Sequence, residues 1–331
     1  VPAGSDADGE GCIVKAPRHT HFDVFNGDAD GLCALQQLRL AEPRESVLIT
    51  GAKHDHGLLA RVMACPGDSV TVLDLPVGAN EEGLFRLLSV GVSIEYFDHH
   101  HAARMPEHTL LRLTLDPALK ACTSLLVDRY LGGRFSEWAV VGTFGDNLST
   151  MAEEMARSIG LDQEKTNQLK VLGESLNYNA YGESEADLTI PPAQLRHAMA
   201  PFADPLAFMC KDDAFITIAQ RRVRDIQQAR DVPPLLETDR LIAILLPNAA
   251  WARRVIDLHA NHLANCYGQR FCAVFVPNGR NSLSVRLRAP EDWVISADRV
   301  ARRHGGDGLA TAASINDLPI ERVALLLSDL Q

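Results

Sequence analysis

The sequence predicts an α/β chain: a parallel sheet with helices on both faces, a helical connector, and a smaller α/β domain. Three observations carry that prediction. Short apolar and β-branched runs alternate with helical apolar spacing over residues 21–133, the order that builds a parallel sheet. Helical patterns dominate 148–230 and end at "DVPPLLETD" (231–239), whose prolines read as a linker. The strand and helix pattern then restarts. For 331 residues, two domains are the better expectation. We place a flexible leader at 1–19, a first α/β domain at 20–190, a helical connector and linker at 191–238, and a C-terminal domain at 239–331.

In chain order, "HFDVF" (21–25) is a strand and "LCALQQLRLA" (32–41) a helix. "SVLIT" (46–50) is a strand and "GLLARVMA" (57–64) is helical. "SVTVLDL" (69–75), "EEGLFRLLSVG" (81–91) and "VSIEYF" (92–97) read as strand, helix and strand. "ACTSLLVDRYLGG" (121–133) is a helix with a glycine stop. Beyond the linker come strand "RLIAILL", helix "AAWARRVIDLHANHLANCY", strands "FCAVFVP" and "SLSVRLR", helix "SADRVARRH", a Gly-rich turn and a last helix.

Composition narrows the partners. The net charge of −11 argues against binding long duplex DNA. From residue 236 onward, 11 Arg and no Lys stand against 10 acidic residues, so the remainder carries −12. Arg is suited to forked phosphate contacts, although most surface Arg simply solvate helices. Aromatics at 6% leave few platforms for stacking many bases. No apolar run approaches the ~20 residues of a membrane span. The seven cysteines are scattered and read as free thiols of a cytoplasmic protein. The sequence carries no signal of oligomeric state.

Function gathers at the carboxyl ends of parallel strands. Four acidic or His clusters fall at predicted strand ends: "NGDADG" (26–31), Asp74, "DHHH" (98–101) and "GTFGDN" (142–147), the last after the apolar "WAVVG". Asp-x-Asp-Gly by itself is also a turn sequence. Four such clusters at one edge would repel one another unless cations sat between them. Oxygen donors with an imidazole suit Mn²⁺, with Mg²⁺ the alternative, better than Zn²⁺. Two such ions form a clamp for attack of water on a phosphoryl centre.

With "GDADG", "VLD", "FDHH" and "GTFGD" in order, the sequence resembles the DHH phosphoesterase family. That family includes RecJ-type exonucleases, nanoRNases, cyclic-dinucleotide and pAp phosphodiesterases, pyrophosphatases and exopolyphosphatases. "SVRLR" (284–288) and "ARRHGGDGLATAAS" (301–314) resemble the Arg-bearing strand and Gly-rich loop of its C-terminal domain. The resemblance implies a site in the cleft between a DHH domain and that second domain. It implies two Mn²⁺: Asp28 on one, Asp30 on the other, Asp74 bridging, with His99 and Asp146 completing the second. Asp98 would hold His99 in its tautomer, His100 would face the substrate phosphate, and a metal-bridging water would attack. Gly31 would let the helix start pack close. Arg286, Arg288, Gly305, Gly306 and Gly308 would bind substrate.

The sequence departs from the family pattern in two places. Where the family has a metal-binding His stands Val24, and where RecJ-type members have an Asp stands Asn26, a weaker ligand. In "KHDH" (53–56), His54, Asp55 or His56 could supply the missing ligand, or Lys53 and both His could hold phosphate. These are otherwise polar residues of a loop. In the Gly-rich loop Leu309, Asp307 and Ser314 replace the family's His and two Gly, and Asp307 would oppose an anion there. The reading is a Mn²⁺-dependent phosphohydrolase of a short oligonucleotide, a nucleotide phosphate such as pAp, or a cyclic dinucleotide. The alternatives are an exopolyphosphatase-type hydrolase, or a weakly or non-catalytic nucleotide- or polyphosphate-binding member that has lost one metal site. A dehydrogenase-like dinucleotide domain fits poorly, because the first strand–helix turn lacks G-x-G-x-x-G.

Overall fold

The computed structural model describes residues 19–102, 104, 107–117, 121–279, 281–293 and 295–330. All but the last residue of the expected leader lies outside them. The first sheet contains β1 (His21–Phe25), β2 (Val47–Ile49), β3 (Ser69–Leu73), β4 (Ser93–Asp98) and β5 (Leu111–Leu115), with α1 (Ala29–Ala41) after β1 and α2 (Val77–Ser89) after β3. All pairings are parallel and the order is β2-β1-β3-β4-β5. β1 therefore sits between β2 and β3, and the connections leave it in opposite directions. Such a switch point opens a crevice at the carboxyl ends of the strands.

Period-two alternation assigns the two faces. Phe22, Val24, Val70, Val72, Ile94 and Tyr96 enter one apolar cluster with Leu58, Leu59, Leu84 and Leu87. Phe25, Leu73 and Phe97 enter another with Leu32 and Leu35 of α1. Val24 is thus a fully buried core residue.

α3 (Thr123–Tyr130), α4 (Ser136–Gly145), α5 (Ser149–Ser158), α6 (Gln163–Asn179), α7 (Pro192–Met199), α8 (Pro205–Lys211) and α9 (Asp213–Arg230) come next in the chain. The second sheet holds β6 (Leu236–Glu237), β7 (Leu241–Leu245), β8 (Phe271–Pro277), β9 (Ser282–Arg288), β10 (Asp307–Gly308) and β11 (Ala312–Pro319) in the order β10-β11-β9-β8-β7-β6. Only the β7–β8 pair is parallel, and α10 (Ala250–Cys266) supplies its crossover. α11 (Ala297–Arg303) and α12 (Val323–Asp329) complete the chain. Phe271, Ala273 and Phe275 pack with Val300 and Leu326, while Cys272, Val274 and Val276 face the other way. That second face shares one continuous core with Val255 and Leu263 of α10, Ile218 and Ala229 of α9, and Leu176 of α6.

Four sequence readings change. The "WAVVG" run is no strand but lies inside α4, buried from Trp138 to Gly145; a short all-apolar run fits either state by periodicity. Residues 57–64 form only a short 3₁₀ turn, Leu58–Arg61, before Pro66-Gly67. β5 is an edge strand with no fully buried residue, so its alternation is weaker than that of the buried strands. β11 was hidden because Asn316-Asp317 resemble a turn; the register shifts between Ile315 and Leu318 as a bulge absorbs them.

Candidate metal and phosphate site

α1 begins where its N-cap, Asp28, accepts hydrogen bonds from the amides of Asp30 (3.0 Å) and Gly31 (3.1 Å). A Cβ at residue 31 would stand 2.2 Å from the Asn26 carbonyl oxygen, so glycine lets the chain double back tightly here. Asp30 is buried, and its two carboxylate oxygens accept from the amides of Thr123 and Ser124, both at 2.7 Å, at the start of α3. Asp74 follows β3 with a left-handed φ of 59°, a conformation that costs energy and collects at functional sites. Its carboxylate accepts from the Thr123 hydroxyl at 3.2 Å.

Three carboxylates surround one imidazole. His99 Nε2 lies 3.4 Å from Asp74, 3.9 Å from Asp146 and 4.0 Å from Asp30. Asp146 arrives from the C-terminal end of α4, not from a strand. α4 approaches closely because Gly145 meets Ala29; a Cβ there would sit 2.2 Å from the alanine Cβ. Burial, then the charges of Asp30 and Asp28, push Asp74 well above the usual carboxylate range. Burial and the Asp30 charge push Asp146 up to about 7. Burial lowers His99, but the hydrogen bond to Asp74 and the charges of Asp30, Asp74 and Asp146 outweigh it and raise His99 to about 10. The ligand atoms of Asp30, His99 and Asp146, and separately those of Asp74, His99 and His100, lie within 4.8 Å of one another. The repulsion, the oxygen-rich donors and the imidazole fit a divalent cation of the Mn²⁺ or Mg²⁺ kind.

Several assignments made from the sequence change. Asp98 is bonded to His100 (Oδ1 to Nδ1, 2.7 Å), not to His99, because alternate residues at the strand end share a side. Its other oxygen is buried without a hydrogen-bond partner among the described residues. Asn26 is not aimed outward as a ligand: its amide donates to the Lys53 carbonyl (3.2 Å) and accepts from the Asp28 amide (3.3 Å). The group that reaches Asp28 is neither His54 nor His56 but the Lys53 ammonium, which also donates to Asn177 Oδ1 at 3.0 Å, and Asp55 is paired with Arg61. Burial pushes Asp28 up, yet the Lys53 charge and the hydrogen bonds of Lys53 and Gly31 hold it below the usual range. His56 stands edge-on to His100 with centroids 6.2 Å apart, its Nδ1 buried and without a partner among the described residues. Burial and the charges of His100 and His54 lower its pKa.

Lys53 and His56 border a cleft of about 990 Å³ between the two sheets, whose lining does not include Asp30, Asp74, His99 or Asp146. Lys53, His54, His56 and Tyr181 line one side, and Arg253, Asp257, Arg286, Arg288 and Gly308 the other. Alternation places Arg286 and Arg288 on one face of β9, and both bind Asp257 of α10, at 2.9 and 3.2 Å. Arg288 also donates to Asn261 at 2.7 Å. Gly305 and Gly306 do not line the cleft. Gly305 turns the chain after α11 with φ of 83°, and a Cβ on Gly306 would sit 2.1 Å from the Ser314 carbonyl oxygen, so it packs against β11. Asp307 is paired with Arg302 at 3.1 Å. Sequence reasoning missed Asn177, Tyr181, Asp257 and the Thr123–Ser124 amides. None carries a local motif, since each acts through a partner far away in the chain.

Structural comparison identifies the fold. RecJ exonuclease bound to manganese aligns over 94% of this chain and 89% of its own, at 15% identity and a TM-score of 0.60. RecJ of Thermus thermophilus with Mn²⁺ aligns at 15% identity and a TM-score of 0.57 over 94% of this chain, which spans about half (51%) of that protein. The pGpG-specific phosphodiesterase PggH of Vibrio cholerae aligns over 94% of this chain and 97% of its own, at 14% identity and a TM-score of 0.53. No family profile and no curated protein matches the sequence. The two-sheet fold is therefore the one that the DHH resemblance implies. Among the described residues no helix is long and apolar enough to cross a membrane.

Proposed function

We propose that this chain is a divalent-metal-dependent phosphohydrolase acting on a short phosphorylated substrate. The observation that carries this reading is the meeting of Asp30, Asp74, His99 and Asp146 at the carboxyl ends of the first sheet's strands, with Lys53, Arg286 and Arg288 lining the cleft between the sheets. When bound, a cation held by those four residues supplies Lewis-acid polarisation of a phosphoryl oxygen and a water of lowered pKa. His100, oriented by Asp98, presents Nε2 to the reacting phosphate. Arg286 and Arg288, fixed by Asp257, offer remaining N–H groups to a second phosphate.

The volume of the cleft suits a ligand of one or two nucleotides, such as a short oligonucleotide end, pAp or a cyclic dinucleotide. The shared fold of a pGpG-specific phosphodiesterase supports that size class. One observation favours the exopolyphosphatase-type reading beside it: among the described residues, apart from two His, the aromatic lining is Tyr181 alone, little to stack a base upon. A hydrolysis panel with Mn²⁺ or Mg²⁺ on pAp, short RNA, cyclic dinucleotides, pyrophosphate and polyphosphate tests the reading. Release of phosphate or nucleotide that chelation abolishes is expected. A panel inert with either metal would refute the catalytic assignment and leave a binding protein.

A further inference from the structure

Asp28 is the residue the DHH resemblance assigns to the first of two metal ions, and here its carboxylate is already engaged. Oδ1 accepts two helix-start amides, at 3.0 and 3.1 Å. Oδ2 accepts from the Lys53 ammonium. Lys53 is held from several sides. Its amide donates to the Ala180 carbonyl at 2.9 Å and its carbonyl accepts from Asn26. Its Nζ donates to Asn177 Oδ1 and stands 5.9 Å from the Tyr181 ring centroid. The other groups that would complete a first metal are committed elsewhere. Val24 is in the apolar core, and the Asn26 amide bridges Lys53 and Asp28 through their backbones. Asp30 also accepts two helix-start amides, but Asp30, Asp74, His99 and Asp146 face one another, with no lysine or arginine paired to them among the described residues.

We propose that the protein holds a single divalent cation, in the Asp30–Asp74–His99–Asp146 set, and that the Lys53 ammonium is the fixed second cation, seated on Asp28. The inference rests on the metal-dependent reading above and specifies its stoichiometry. An ammonium has three N–H donors; two serve Asp28 and Asn177, and the third is left for a phosphoryl oxygen in the cleft that Lys53 lines. One positive charge on a short leash replaces two on a free ion. It costs no cation-binding equilibrium but gives weaker polarisation than a divalent metal.

Metal counting on the 331-residue chain tests this without reference to turnover. Titration with Mn²⁺, followed by calorimetry and by low-temperature electron paramagnetic resonance, should give one ion per chain and an isolated, uncoupled Mn²⁺ signal. Lys53→Ala should admit a second, weaker ion and bring up the exchange-coupled signal of a pair. Asp28→Asn guards against a misfolded Lys53 variant: it should still bind one ion per chain, because Asp28 is not its ligand. Two ions in the wild type, an unchanged count in folded Lys53→Ala, or loss of the ion in Asp28→Asn would each overturn the inference. Two ions together with hydrolysis would sink the lysine assignment alone. No ion and no hydrolysis would sink the metal-dependent function with it.

Discussion

Replacing Arg254 with methionine should weaken the packing of α10 against α6 and α9 at a cost that can be worked from the structure. Arg254 of α10 and Asp225 of α9 are both nearly inaccessible, with side chains 5% and 1% exposed. The guanidinium donates to Asp225 Oδ2 through Nε (2.9 Å) and Nη2 (2.7 Å), lies 3.0 Å from the Tyr178 hydroxyl of α6, and donates to the Asp187 carbonyl. Methionine keeps most of the aliphatic stem and leaves Asp225 buried with one remaining donor, the Tyr178 hydroxyl at 2.5 Å. Removing one member of such a pair costs about 3–5 kcal/mol, chiefly the stranded charge. At about 2.1 cal/mol/K of unfolding entropy per residue, this 331-residue chain should lose roughly 4–7 °C in Tm. Arg254→Met with Asp225→Asn should recover a large part of the loss, with a coupling of order 2 kcal/mol in the double-mutant cycle. Urea and thermal melts followed by circular dichroism read both effects. A single mutant within about 1 kcal/mol of wild type, or strictly additive double-mutant losses, would refute the reasoning.

Asp74→Asn should fold, since Asn tolerates the left-handed backbone at this position, and should lose at least 10-fold in Mn²⁺ affinity by calorimetry; an unchanged affinity would remove Asp74 from the ligand set. Arg288→Lys should raise KM with little change in kcat on whichever substrate the panel identifies, because lysine cannot reproduce the fork now held by Asp257 and Asn261; identical KM values would make Arg288 a purely structural partner of α10. His259, lowered to about 4 by burial and then by the charges of His262 and Arg230, is neutral in the folded protein while the unfolded chain takes up a proton near the ordinary 6.5. Its stabilisation is therefore complete above about pH 6.5 and is lost as pH falls toward 4. His259→Leu should flatten the pH dependence of Tm in that window by up to one proton's worth of slope, and an unaltered slope would contradict the assignment.

Local chemistry made part of this molecule legible in its sequence. The strands at 21–25, 271–277 and 282–288 have the bounds their apolar patterns define, because burial on one or both faces imposes a period that a neighbour-by-neighbour reading detects. Asp30, Asp74 and His99 were legible as neighbours, since parallel strands bring the residues just past their carboxyl ends to a common edge. Arg286 and Arg288 were legible as a pair because strand alternation places them on the same face.

Tertiary structure decided the rest, wherever the partner is distant in the chain or a pattern fits two states. Whether "WAVVG" is strand or helix depends on its surroundings, and here helices α1, α3 and α6 enclose it. That Asp98 serves His100, that Asp30 takes its hydrogen bonds from residues more than 90 positions away, and that Lys53 meets Asn177 across 124 positions are consequences of packing. The same holds for the cation at Asp28. A lysine in a polar loop has no local signature that separates it from a solvated one, and only the path of the chain past Ala180 and Asn26 brings its ammonium onto that carboxylate.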